Sequence, residues 1–105
     1  MTDKIVVLVT CGSAKQARKI GRALVEAKLV ACANLFEAPI RSIYRWRNRI
    51  ESAREFLMIL KTERGHFRAI ERQVRRLHSY EVPEIIALPI ERGSRDYLSW
   101  VSHSV

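Results

Sequence analysis

The sequence predicts an α+β fold with the split βαβ layout of ferredoxin-like domains, a long extended hairpin and a short C-terminal helix, over one domain of residues 1–105. Three observations carry this. Strand-like and helix-like stretches alternate as strand, helix, strand, strand, helix, strand. The second and third strands form a long pair about a tight turn, Ile40–Trp46 and Ile50–Thr62. The strands are also apolar at both parities, so the sheet face that two helices leave bare is too apolar to stand in water. Oligomerisation around a symmetry axis would cover it.

Ile5–Val9 is a run of five apolar residues, four of them β-branched, as expected of a central strand. Thr10-Cys11-Gly12-Ser13 ends it, and Ser13 is placed to cap the next helix. From Ala14, a face of Ala17, Ile20 or Gly21, Leu24 and Val25 is predicted to turn inward, with Lys15, Arg18, Lys19 and Arg22 outward. Leu29–Phe36 and Ile40–Trp46 read as one strand bent or bulged at Glu37-Ala38-Pro39. Arg47-Asn48-Arg49 turns the chain, with Asn48 best able to take positive φ. In the returning strand Phe56, Met58 and Leu60 face one way and Glu55, Leu57, Ile59 and Lys61 the other. Glu63–Arg76 is the second helix, with a stripe of Phe67, Ile70, Val74 and Leu77. Ile85–Ile90 is the last core strand, and Ser94 or Asp96 starts a short helix carrying Tyr97, Leu98, Trp100 and Val101.

A length of 105 residues with 48% hydrophobic content suits one modest core. No apolar run approaches the roughly 18 residues of a membrane span, and Met1–Lys4 leads straight into a strand, with no secretory signal pattern. Cys11 and Cys32 are too few and too far apart for a metal finger or redox pair, in keeping with a reducing cytoplasmic setting. The net charge of +8 comes from fourteen arginines and five lysines against eleven acids. It permits attraction to phosphates, nucleic acid or anionic lipid without demanding it. The basic residues are spread widely along the chain, and no aromatic-interleaved basic run marks a nucleic-acid binder.

His78-Ser79-Tyr80-Glu81-Val82-Pro83-Glu84 concentrates an imidazole, a phenol and two carboxylates in seven residues stiffened by Pro83. His78, Glu81 and Glu84 are candidate ligands for a divalent cation. Equally, His78 can serve the C-terminus of the helix while the acids face water. No third strong ligand is close in sequence, so any metal site needs residues from elsewhere in the chain or from another copy. Cys32 fits a soft-metal ligand or a small buried hydrophobe. Cys11 precedes a helix but has no catalytic partner nearby, and Thr10–Ser13 is a weak anion-binding signal. Tyr44 and Trp46 share one side of the hairpin, with Glu55 and Lys61 on the facing strand, so they can line a polar cleft or an intersubunit contact. His66 and His103 read as surface residues, and no catalytic triad, paired hydrolytic acids or dinucleotide glycine pattern is present. An enzyme is not expected.

Several segments resemble the CutA divalent-cation-tolerance family: Leu29–Asn34, Ser42–Trp46, Glu55 with Ile59–Thr62, Leu77–Pro89, and Tyr97–Trp100. They stand in the family's order across nearly the whole chain. The resemblance implies a homotrimer of ferredoxin-like subunits similar to PII signalling proteins, with hairpins reaching neighbouring subunits. It implies divalent cation binding, copper foremost and zinc as the alternative, with no obligatory cofactor, in metal tolerance. Ligand sites would lie in intersubunit clefts. The matching residues here are Cys32, Tyr44, Trp46, Glu55, Lys61, His78, Tyr80, Glu81, Glu84 and Trp100. Two positions depart from the family pattern: Ser79 replaces a proline, and Asn48 replaces the hairpin glycine, leaving a basic tip. The other reading is a PII-like signalling or adaptor trimer whose cleft takes a small anionic ligand or a partner segment, with Lys61 central. A membrane partner is not expected.

Overall fold

Strand β1, Lys4–Cys11, alternates between two sheet faces. Ile5, Val7, Val9 and Cys11 are buried on one face, while Val6 and Leu8 on the other are only partly covered. This is a computed structural model, and it describes residues 2–105; Met1, the first residue of the predicted domain, lies outside the described residues. Ser13 caps helix α1, Ala14–Glu26, its Oγ accepting the Gln16 N–H. Ala17, Ile20, Gly21 and Leu24 are the buried side of α1. A Cβ on Gly21 would stand 3.3 Å from the Ala33 Cβ, so the absent side chain lets the helix lie close to the sheet.

The expected strand from Leu29 begins later. Helix α1 ends with Lys28 at φ 58°, the Lys28 N–H on the Val25 carbonyl and the Leu29 N–H on the Leu24 carbonyl. This is a Schellman motif with lysine in the place glycine usually takes. Leu29 and Val30 therefore still wrap the helix end, and strand β2 is only Cys32–Leu35. Strand β3, Ile40–Trp46, follows, and both pair with the same edge of β4, Arg49–Glu63. Leu35 lies opposite Met58 and Ile40 opposite Glu55. Five steps on one side thus match three on the other, and the predicted bulge at Glu37–Pro39 takes up the difference. Trp46 pairs with Arg49, leaving two turn residues, Arg47 at φ 51° and Asn48 at φ 65°. Both central residues are left-handed, the requirement of a type I′ hairpin. The hairpin lengthens the molecule to 44 Å against 26 and 25 Å in the other directions.

The second helix is shorter than predicted. Strand β4 continues to Glu63, a 3₁₀ turn spans Arg64–His66, and α2 is Phe67–Leu77. Strand β5, Ile85–Pro89, pairs only with β1 among the described residues, and α3 is Arg95–His103. The sheet order β2-β4-β1-β5, antiparallel throughout, with α1 and α2 on one face, is the ferredoxin-like arrangement. The core lies between those helices and Val7, Val9, Met58 and Leu60. Helix α3 lies on the opposite face, where Ser102 donates to Glu63 and Val101 is buried. No helix among the described residues is long and apolar enough to cross a membrane.

Two expectations change with the fold. The last "core" strand β5 is an edge, with Ile86 and Leu88 each 49% exposed. The basic residues, dispersed in sequence, are gathered in space. Lys15, Arg18, Lys19 and Arg22 of α1, with Arg64, Arg68, Arg72, Arg75 and Arg76 on and before α2, are all exposed. Residues 14–26 and 64–77, with Glu26 and Glu71 among them, hold a net +7 of the chain's +8, and Glu37 from outside these ranges pairs with Arg18.

Candidate functional site

A cleft of about 680 Å³ opens between the β3–β4 hairpin and the Tyr80–Glu84 segment. Tyr44 and Trp46 line it from β3, Glu55 from β4, Thr10 from β1, and Tyr80, Glu81 and Glu84 from the segment. The bulge before Ile40 matters here, because it sets Ile40 opposite Glu55 and starts the hairpin at the cleft floor. Pro83 is buried and pins the segment beside it.

His78 is not one of the lining groups. It ends α2 and is 9% exposed. Its Nδ1 accepts the Tyr80 N–H at 3.1 Å, which leaves the ring hydrogen on Nε2 to donate to the Thr10 carbonyl at 2.7 Å. Both nitrogens are occupied, so neither offers a lone pair to a metal. This corrects the expectation of His78 as a ligand: it is the clamp that ties the segment to the end of β1. The Tyr80 ring packs tilted against the imidazole, centroids 4.6 Å apart, and covers Gly12, where a Cβ would stand 3.2 Å from the Tyr80 hydroxyl. The Thr10–Ser13 turn is thereby filled by Tyr80 instead of holding an anion. His78→Ala is expected to cost about 2–4 kcal/mol of stability, because it strands a buried carbonyl and a backbone N–H. Urea unfolding of the variant against the parent checks this.

The electrostatics centre on Glu55. It is 8% exposed and makes no ion pair among the described residues. Its neighbours register the charge. Burial, and then Glu55, holds Glu84 above the ordinary carboxylate range. Burial, then hydrogen bonding and charge from Glu55, pushes the Tyr80 phenol up. Burial, again followed by Glu55, raises the Cys11 thiol to about 11. Cys11 is thus a protonated core side chain at neutral pH, its Sγ 3.6 Å from the Met58 sulfur. At the cleft mouth Arg47 leans over the Trp46 ring, 5.5 Å from its centroid, and reaches Glu81 at 3.3 Å.

The other predicted residues lie elsewhere. Cys32 pairs with Lys61 across β2 and β4, whereas Thr10 lies opposite Leu57. Four residues of β4 separate the two places, about 13 Å along the strand. Cys32 also adjoins Tyr97, whose phenol is raised by burial and then by Cys32, and Trp100 stacks 5.5 Å from Tyr97. One subunit therefore does not unite Cys32, His78, Glu81 and Glu84. No group of three or more His, Cys, Asp or Glu among the described residues is arranged to hold an ion. The chain instead carries two separate half-sites, an acidic aromatic cleft and a patch of Cys32, Lys61, Tyr97 and Trp100. Both face away from α1 and α2, flanking the apolar sheet surface. The sequence reading placed Tyr97 on the apolar side of the last helix and Arg47 in the basic turn without giving either a role at the site; the aromatic periodicity of α3 and the basic hairpin tip were the available signals.

Residues 5–104 match the model of the CutA1 divalent ion tolerance protein family. The chain belongs to this family. It is 41% identical to the divalent-cation tolerance protein CutA of Archaeoglobus fulgidus, over 94% of this chain and 95% of that one. It is 48% identical to human protein CutA over 89% of this chain, and there spans about half the relative's length, 51%. Among solved structures, CutA of Xylella fastidiosa superposes with a TM-score of 0.94 at 32% identity, covering 98% of both chains. The A. fulgidus structure, described as a periplasmic divalent cation tolerance protein, gives 0.93 at 40% identity, covering 96% of this chain and 97% of that one. The family is described as one of divalent ion tolerance.

Proposed function

We propose that this single-domain protein works as a homotrimer that binds a divalent cation in clefts completed by neighbouring copies, as part of metal tolerance. The observation that carries the reading is the buried Glu55 carboxylate, without an ion pair among the described residues, with the Glu84 carboxyl beside it held above its ordinary range. A buried carboxylate without a counter-charge is costly, and a cation relieves it. The acidic cleft alone presents oxygen donors, which suit hard cations. Copper or zinc gains from a thiolate, and Cys32 of a neighbouring copy is the group in this chain able to supply one. Both cysteines are unpaired, in keeping with a reducing, cytoplasmic setting.

The alternative reading, a small anionic ligand or partner segment in the cleft, rests on Lys61. It makes no ion pair among the described residues and lies beside Cys32. Should its ammonium reach the neighbour's Glu55, the acidic charge is neutralised and the cleft accepts an anion.

Calorimetric titration with copper, zinc and manganese under reducing conditions separates the two. Glu55→Gln and Cys32→Ala are each expected to weaken copper binding at least about tenfold, roughly 1.4 kcal/mol. His78→Gln is expected to leave it unchanged. Equal affinity in parent, Glu55→Gln and Cys32→Ala would refute the cation site. Anionic metabolites retained on the protein in native mass spectrometry, and lost in Lys61→Ala, would favour the alternative.

A further inference from the structure

We infer that the outer surface of the α1–α2 layer is a docking face for the phosphate backbone of double-stranded nucleic acid. The fold concentrates nearly all the net charge there, and it does so on the sheet side opposite the apolar surface. Assembly through that surface leaves the helix layer open. The bond from the Ser79 hydroxyl to the Gln16 side-chain oxygen sets the end of α2 beside the start of α1. The helices therefore run antiparallel, with cations along the length of both.

The charge is balanced only in part: Arg18 pairs with Glu37 at 3.6 Å and Arg22 with Glu26 at 3.4 Å, both at exposed positions. None of the five arginines from Arg64 to Arg76 makes an ion pair among the described residues. Arg68, Arg72 and Arg76 recur at four-residue spacing, an arrangement that repels along a helix face and weakens it. Folding alone gains nothing from that pattern, whereas an extended polyanion does. Arg68 and Arg75 stand about 10 Å apart along the axis, and the neighbouring helix adds Lys15, Lys19 and Arg22 some 8–10 Å to the side. Seven of the nine cations in the layer are arginine, whose planar fork binds phosphate oxygens bidentately.

The same face argues against other polyanions. Val25 is its one large exposed apolar side chain, so it has no apolar stripe to sink into lipid. It presents no exposed aromatic for stacking unpaired bases, as single-strand binders do. A regular array of backbone phosphates, read without base contacts, is the partner that remains.

The test measures binding of a labelled duplex of roughly 20 base pairs as salt is raised from about 50 mM. The parent is expected to bind with a slope of log K on log salt of about −4 or steeper, and R68Q/R72Q/R75Q to lose about 2.7 of that slope. Those three side chains face solvent and remove like-charge repulsion, so the variant's melting temperature should equal or exceed the parent's. The hairpin variant R41Q/R45Q/R54Q removes the same charge elsewhere and is expected to keep the parent slope. Absence of duplex binding at the lowest salt overturns the inference. So does an equal loss in the hairpin variant, which would mean diffuse attraction by net charge. Binding to phosphatidylserine vesicles with the duplex ignored overturns it in favour of a lipid surface.

Discussion

Replacing Ile86 with aspartate is expected to reduce the assembled protein to single subunits of 12.2 kDa. Ile86 pairs with Leu8, and Leu88 with Val6, on the sheet face away from α1 and α2. Leu57 and Ile59 continue that surface across β4. In an isolated subunit Ile86 is 49% exposed, so an aspartate there meets water and costs little. Packed around a threefold axis, the same position brings copies of the charge into an apolar interior, at several kcal/mol per ion. Each displaced isoleucine also forfeits about half of the ~1.5–3 kcal/mol of a full burial, its other half being covered within the subunit. Aspartate is too short to lift its charge to a surface as lysine can. The dissociation constant should rise at least about a thousandfold, or ~4 kcal/mol. Analytical ultracentrifugation at micromolar concentration checks this; an unchanged mass in the variant would show that the face is not the interface.

Glu84→Gln is expected to stabilise the protein near neutral pH and to remove its response to divalent cations. The pKa of Glu84 is raised in the fold, by burial first and Glu55 second. The folded state therefore favours the protonated acid. The stabilising contribution is fully present below the ordinary value of 4.5 and fades as pH climbs through the raised one. At pH 7 the ionised acid opposes folding, and the neutral amide does not. The melting-temperature advantage of Glu84→Gln should be positive at pH 7 and vanish below about pH 4, where both side chains are uncharged. A bound cation reverses the ranking, since it stabilises the pair of carboxylates. At a hundredfold excess over its dissociation constant it adds about 2.7 kcal/mol to the parent and little to the variant. Thermal melts across pH, with and without manganese or copper, read both effects. A constant difference between the two proteins at every pH would contradict the charge repulsion.

Much of the fold was legible because local chemistry and global packing agree. Ser13 caps where a cap was expected, and Met58 and Leu60 alternate with Leu57 and Ile59 as their pattern requires. Pro39 breaks the strand where proline should. The misplaced start of β2 has a different origin: Leu29 and Val30 are apolar because they close a helix end, and an apolar run does not distinguish that from a strand. Arg47 gives no hint of positive φ. Its conformation is imposed by Trp46 pairing with Arg49, which leaves a two-residue turn.

Which of the named residues lie together was only partly legible in the sequence. Tyr44, Trp46, Glu55, Tyr80, Glu81 and Glu84 do converge on one cleft. His78 does not join them, because a carbonyl 68 residues earlier takes its Nε2, a partner that spacing does not disclose. Cys32 and Lys61 fall to the far end of the sheet through the register of β2 on β4. The basic layer was hidden for the same reason: α1 and α2 are some forty residues apart in sequence and adjacent in space.

The most direct measurement is a crystal of the assembled protein, its cysteines reduced and the reductant then removed, soaked anaerobically with copper(II), with anomalous scattering recorded at the copper edge. The account predicts a peak between subunits, flanked by Glu55 and Glu84 of one copy and Cys32 of the next. A peak bound wholly within one subunit, or one seated on the His78 ring, would contradict it.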